Sequence, residues 1–171
     1  MYELHENEQY FFDRATLEHL ASFASQFQRP ACLCAPLLGK VLEEKGVAVR
    51  VLDIDERFAG LRGFRIFDLY RPEWLGEEFD LIICDPPFFN LSLSQLFTAL
   101  RLLSRNDYTQ ALLVSYLVRR AENLVGALAS FKLEATGYRP AYQTVQPVER
   151  NQIEFFGNLG PEMHRRLAGR S

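Results

Sequence analysis

Asp85, Pro86, Pro87 and Phe88 lie in the stretch FDLIICDPPFFN (residues 79–90), directly after four apolar residues. Pro86 and Pro87 carry no N–H but keep their carbonyls, and their fixed φ stiffens the loop. A carboxylate and a backbone carbonyl held on such a loop are two acceptors, which match the two N–H donors of an exocyclic amine. Phe88 offers a face for the ring bearing that amine, a stacking contact worth ~1–3 kcal/mol. A nitrogen held in this way can turn its lone pair toward an electrophilic methyl group. The rate gain then comes from positioning and electrostatics, with no need for a nucleophilic Ser, Cys or His. The bland alternative is a strand-ending Pro-Pro turn packed by an aromatic.

Other acids end apolar runs in the same manner. Asp53 and Asp55 close VLDID, and Asp68 follows FRIF. An acid at the end of a second strand commonly accepts both ribose hydroxyls, because a carboxylate can take two donors. Asp53 is favoured for that role and Asp55 comes close behind; capping of a turn or of the next helix is the bland alternative. Asp68 suits the exocyclic amine of an adenine, or else an ordinary turn. Phosphate binding is disfavoured. The chain has no G-x-x-x-x-G-K-S/T motif and no G-x-G-x-x-G after its first strand, and Gly39 is the only glycine near that turn. NAD and ATP therefore fit poorly, while a nucleoside ligand without a pyrophosphate, S-adenosylmethionine, fits well. The three cysteines and three histidines show no metal-ligand spacing, so no metal is expected and the thiols read as buried and reduced.

The elements that must position these groups alternate in type. Residues 12–28 show helical apolar spacing with Asp13 as N-cap. A strand follows at 31–35, and Pro36 opens a helix to about Glu44. Strands are expected at 47–55, 64–70, 80–85 and 110–116, with helices at 92–105 and 117–131. Two last strands, in KLEATGYRP and NQIEFFGNL, flank an irregular Pro-containing segment, and residues 160–171 read as a frayed tail. Asn90 is a candidate N-cap for the 92–105 helix or, with Phe89, a pocket residue. The alternation predicts a single α/β domain over residues 1–171: a mostly parallel, doubly wound sheet ending in an antiparallel hairpin. In such sheets ligands bind beyond the carboxyl ends of the strands, where all the acids named above fall.

The bulk composition agrees with this. The chain has 171 residues, 48% of them hydrophobic and 24% charged, and carries a net charge of −3. It contains no run long enough to span a membrane and no signal-peptide pattern, so a cytoplasmic protein is expected. The charge exerts no global pull on nucleic acid. The arginines, among them Arg65, Arg101, Arg105, Arg119 and Arg120, are interleaved with acids, as on a solvated face.

DPPF resembles the Asp/Asn/Ser-Pro-Pro-aromatic motif of S-adenosylmethionine-dependent methyltransferases that act on amino groups. In order along residues 7 to 160, NEQYFFDRATLEHL, ACLCAPLLGKVL, VLDIDERF, FDLIICDPPF and NQIEFFGNL resemble the probable N6-adenine methyltransferase family. Its branches modify adenine N6 in ribosomal RNA or a lysine of an elongation factor. The resemblance implies a Rossmann-like class I methyltransferase fold. It implies that Asp85, Pro86, Pro87 and Phe88 hold the target amine and that Cys34, Ala35 and Pro36 line the methionine end of the cofactor. It places Asp53 or Asp55 on the ribose and Asp68 near the adenine. The segment Gln9–Phe12, with Tyr10 and Phe11, would fold back over the cofactor. The zinc-binding cysteines of the ribosomal RNA branch are missing, so an RNA substrate would need a local patch or a partner subunit to supply grip. The leading expectation is methylation of adenine N6, in RNA before DNA. The competitors are a protein lysine substrate and a catalytically silent, methyltransferase-like subunit.

Overall fold

The computed structural model describes residues 1–146 and 148–169. Pro147, in the expected irregular segment, and Arg170 and Ser171, in the expected tail, lie outside the described residues. Seven strands form one sheet: β1 (Pro30–Leu33), β2 (Arg50–Asp53), β3 (Phe64–Ile66), β4 (Leu81–Cys84), β5 (Leu112–Leu117), β6 (Glu134–Ala135) and β7 (Ile153–Gly157). Their order is β3-β2-β1-β4-β5-β7-β6. The first five in this order pair in parallel, whereas β7 runs antiparallel to both β5 and β6. The antiparallel pair expected from the sequence is present, with β7 inserted between β5 and a two-residue β6.

Successive side chains on a strand point to opposite faces, and β4 shows what this builds. Leu81 and Ile83 face a cluster with Leu20 and Ala21 of α1 (Arg14–Ala24), Leu38 and Leu42 of α2 (Pro36–Glu44), and Leu167. Ile82 and Cys84 face Leu96 and Leu100 of α3 (Leu93–Leu103) and Leu124 of α4 (Ala121–Ala127). Burial on both faces explains the unbroken apolar run LIIC. Gly39 is required by packing: a Cβ there would lie 2.4 Å from Cγ2 of Val51, so only glycine lets α2 sit this close to β2.

Several local expectations are corrected. The first helix ends at Ala24 rather than 28, though Asp13 caps it by accepting from Thr16 N–H at 2.9 Å. The 117–131 helix is broken into 3-10 turns at Val118–Arg120 and Ala129–Phe131 around the seven residues of α4. Ser92, not Asn90, caps α3, in a reciprocal capping box with Gln95. The tail is not frayed through its described part. Residues Pro161–Leu167 form α5, entered through Gly160 at φ +94°, and Leu167 is fully buried. Seven residues are too few for a stable isolated helix, so docking of Leu167 and His164 onto the core is what holds α5. Among the described residues, no helix is long and apolar enough to cross a membrane.

Candidate active site

The sheet order reverses at β1, whose neighbours are β2 and β4, and a cavity of about 200 Å³ opens there at the carboxyl ends of the strands. Its wall is made by Cys34 after β1, Asp53 and Asp55 at β2, Phe67–Tyr70 after β3, and Asp85–Phe88 with Asn90 after β4. Tyr142 and the N-terminal residues Glu6–Tyr10 close it. The structure thus brings together Tyr10, Cys34, Asp53, Asp55, Asp68 and the whole of Asp85–Phe88. It leaves Phe11, Ala35 and Pro36 outside the lining. Phe11 is buried edge-on against Phe58 at 6.4 Å, the Ala35 carbonyl accepts from Gly39 N–H at 3.1 Å, and Pro36 opens α2.

Asp85 continues the sheet by one bond, its N–H donating to the Leu33 carbonyl at 3.0 Å. The prolines that follow end the ladder. Oδ1 of Asp85 accepts two hydroxyls, from Ser115 on β5 and from Tyr142 at 2.7 Å, and Oδ2 makes no hydrogen bond among the described residues. Burial pushes the carboxyl up to about 7, against the opposing pull of these two hydroxyls. Neither hydroxyl was anticipated. Ser115 left a signal, a polar residue in the buried run LLVSYL, but Tyr142 left none. Tyr142 is placed by its bridge to Phe12 and by packing on that ring, with centroids 5.1 Å apart.

At β2 the two candidate acids part company. The strand stops at Asp53, and Asp55 instead caps a 3-10 turn at Glu56–Phe58. Both oxygens of Asp55 are engaged: Arg57 binds it through Nε and Nη2 (2.8–3.1 Å), and Gln9 Nε2 donates to Oδ2 at 2.9 Å. The hydrogen bonds from Arg57 hold its carboxyl below the usual range. Asp53 accepts the Asp55 N–H at 2.8 Å on Oδ1, and burial raises its carboxyl to about 6. Asp68 accepts Tyr70 N–H through Oδ1 at 2.9 Å, and its Oδ2 makes no hydrogen bond among the described residues. Cys34 takes the left-handed conformation at φ +59°, and burial together with the neighbouring Asp53 keeps its thiol protonated.

The N-terminal segment crosses this edge. Tyr10 stacks on His5 at 4.9 Å, Gln9 reaches Asp55, and the Glu8 carboxylate accepts from the N–H groups of Phe88, Phe89 and Asn90 at 3.1, 3.0 and 2.6 Å. The arginines stay dispersed. Arg65 and Arg139 pair with Glu73 and Glu154, and Arg120 Nη1 donates to the Phe88 carbonyl at 2.9 Å.

A family model described as "Probable N6-adenine methyltransferase" matches residues 3–159. The chain belongs to this family. The fold of this methyltransferase recurs in solved structures at low identity. Magnesium protoporphyrin IX methyltransferase of Synechocystis PCC 6803, solved with bound S-adenosylmethionine, is 14% identical, with 84% of this chain and 78% of that chain covered and a TM-score of 0.57. Human N-acetylserotonin methyltransferase, also with S-adenosylmethionine, is 13% identical, with coverage of 85% and 52% and a TM-score of 0.53. Thermoplasma acidophilum protein 1320 is 16% identical, with coverage of 87% and 88% and a TM-score of 0.51. No curated protein matches by sequence. This methyltransferase therefore shares its fold with enzymes solved with bound S-adenosylmethionine. Its cavity suits that cofactor chemically. Among the described residues, Oδ2 of Asp53 and Oδ2 of Asp68 have no hydrogen-bond donor and are open to hydroxyl or amine groups, six carboxylates line the wall, and no lysine or arginine lines it.

Proposed function

We propose that this methyltransferase transfers a methyl group to a nitrogen, with adenine N6 in RNA as the leading acceptor. The observation that carries the proposal is Asp85, whose carboxylate is pinned through Oδ1 by two hydroxyls while Oδ2, beside two prolines, has no partner among the described residues. In this reading Asp85 Oδ2 and a proline carbonyl accept the two N–H groups of the target amine, and Phe88 meets its ring. Bound S-adenosylmethionine supplies an electrophilic methyl group on a sulfonium. The two acceptors hold the amine so that its lone pair, rather than its protons, faces that methyl group. As the N–CH₃ bond forms the nitrogen must lose a proton, and a carboxyl near 7 is placed to take it. Asp53 takes the ribose hydroxyls, since Asp55 is fully engaged with Arg57 and Gln9. Asp68 lies toward the adenine, and Cys34, with Ala35 and Pro36 behind it, borders the methionine end. Tyr10 covers the cofactor, and Phe11 anchors the segment that carries it. An unpaired or flipped base is required, because the amine is otherwise inside a duplex.

The seven strands form a single sheet, so we take the chain as one catalytic domain. The dispersed arginines favour a partner subunit for RNA capture, and the three free thiols favour a reducing, cytoplasmic setting. One observation supports a second acceptor, a protein lysine: the cavity wall is acidic, with Glu6 and Glu8 joining four aspartates, and would attract a cationic chain. Labelled methyl transfer to total RNA, DNA and protein, assayed side by side, tests these readings. Counts in RNA, released as N6-methyladenine on nuclease digestion, are expected. Counts confined to protein would replace adenine with lysine, and counts in no fraction would sink the enzyme reading.

A further inference from the structure

Glu8 lies between the two halves of the site. After Asp85 N–H makes the last ladder bond, Pro86 and Pro87 have no N–H to give, and the next three N–H groups, on Phe88, Phe89 and Asn90, all point at one carboxylate. No other protein acceptor for these three groups is present among the described residues, so within the protein it is Glu8 that holds the backbone of the acceptor loop. Glu8 takes the left-handed conformation at φ +52° as the C-cap of a 3-10 turn at His5–Asn7, its N–H donating to the His5 carbonyl at 3.0 Å. The adjacent Gln9 reaches the opposite wall, donating to Asp55 Oδ2 at 2.9 Å and accepting from Arg57 Nη2 at 3.1 Å. Two consecutive residues therefore tie the end of β2 to the loop after β4, across the mouth of the cavity.

We propose that Glu8 is a positioning residue that couples cofactor capture to assembly of the amine-holding loop. It rests on the cavity holding S-adenosylmethionine, as in the reading above. The N-terminal strap, Glu6–Tyr10, lines the cavity, so a cofactor seated there fixes the strap, and Glu8 passes that order to Phe88–Asn90. The enzyme then presents a formed acceptor site only once the methyl donor is in place.

The test measures amide hydrogen exchange on the full chain, with and without S-adenosylhomocysteine, alongside calorimetric binding of the same ligand. In the wild type, the ligand should slow exchange of the strap and of Phe88–Asn90 together. In Glu8→Ala the three loop amides should exchange at least about tenfold faster, and the ligand should slow the strap alone. Glu8→Gln keeps one acceptor oxygen and the side-chain length, and should restore part of the coupling; it also serves if Glu8→Ala folds poorly. Loop protection that still responds to ligand in Glu8→Ala would overturn the proposal, as would loop amides whose exchange the substitution leaves unchanged. A wild type that binds no S-adenosylhomocysteine would instead overturn the cofactor reading, while the ligand-free comparison of the loop amides would still report on the hold by Glu8.

Discussion

Asp55 and Asp85 both stand just past the end of a parallel strand and both face the same cavity, but their surroundings differ. Asp55 is met by a guanidinium and an amide, uses both oxygens, and is held below the usual carboxyl range. Asp85 is met by two neutral hydroxyls on one oxygen, is half-buried at the cavity wall, and is pushed up to about 7 by desolvation. A cation-paired carboxylate is a structural pin whose charge is spent on its partner. A desolvated carboxylate held by neutral donors keeps both an acceptor and a proton affinity near neutrality. Asp53 resembles Asp85 in this respect, with one oxygen engaged and its carboxyl raised to about 6.

The contrast can be broken most forcefully at Asp85. Asp85→Ala should lower methyl transfer by roughly 10²–10³-fold or more, as loss of a single preorganised polar contact does elsewhere. S-adenosylhomocysteine binding, read by calorimetry, should change little, and surviving turnover would remove Asp85 from the mechanism. The next largest effect separates the acids of β2. Asp53→Asn preserves the acceptor for Asp55 N–H but loses the free oxygen, and should weaken S-adenosylhomocysteine about tenfold or more, the scale of one charged hydrogen bond. Asp55→Asn should weaken it less and act mainly by loosening the strap. If Asp55→Asn costs more, the two roles must be exchanged. The smallest effect sharpens the account of Asp85. With acceptance by the ionised form, transfer should fall as pH drops through about 7. Tyr142→Phe removes a donor that favours ionisation, so the acid limb should move to higher pH, by roughly half to one unit for a hydrogen bond of about 1 kcal/mol. A limb that stays in place would mean that a different group titrates.

Much of the fold was legible because its signals are local. Pro36 at the first helical turn marked α2 to the residue, and the run LIIC marked a strand buried on both faces. The break inside 117–131 and the docked helix α5 were missed because both depend on contacts made elsewhere in the chain, which outweigh weak local propensity. The site divides along the same line. DPPF and Asp53 could be found from position alone, at the ends of strands. Ser115, Tyr142 and Glu8 could not, since they meet the loop from 30, 57 and about 80 residues away in sequence.

By itself, then, the sequence determined which edge of the sheet gathers the candidate groups and which residue types stand there. Strand periodicity, proline geometry and the place of acids after apolar runs are properties of a few consecutive residues. The tertiary structure alone decided which carboxylates are spent and which are free. Availability depends on hydrogen-bond partners and burial, and both are set by chain segments that only folding brings together.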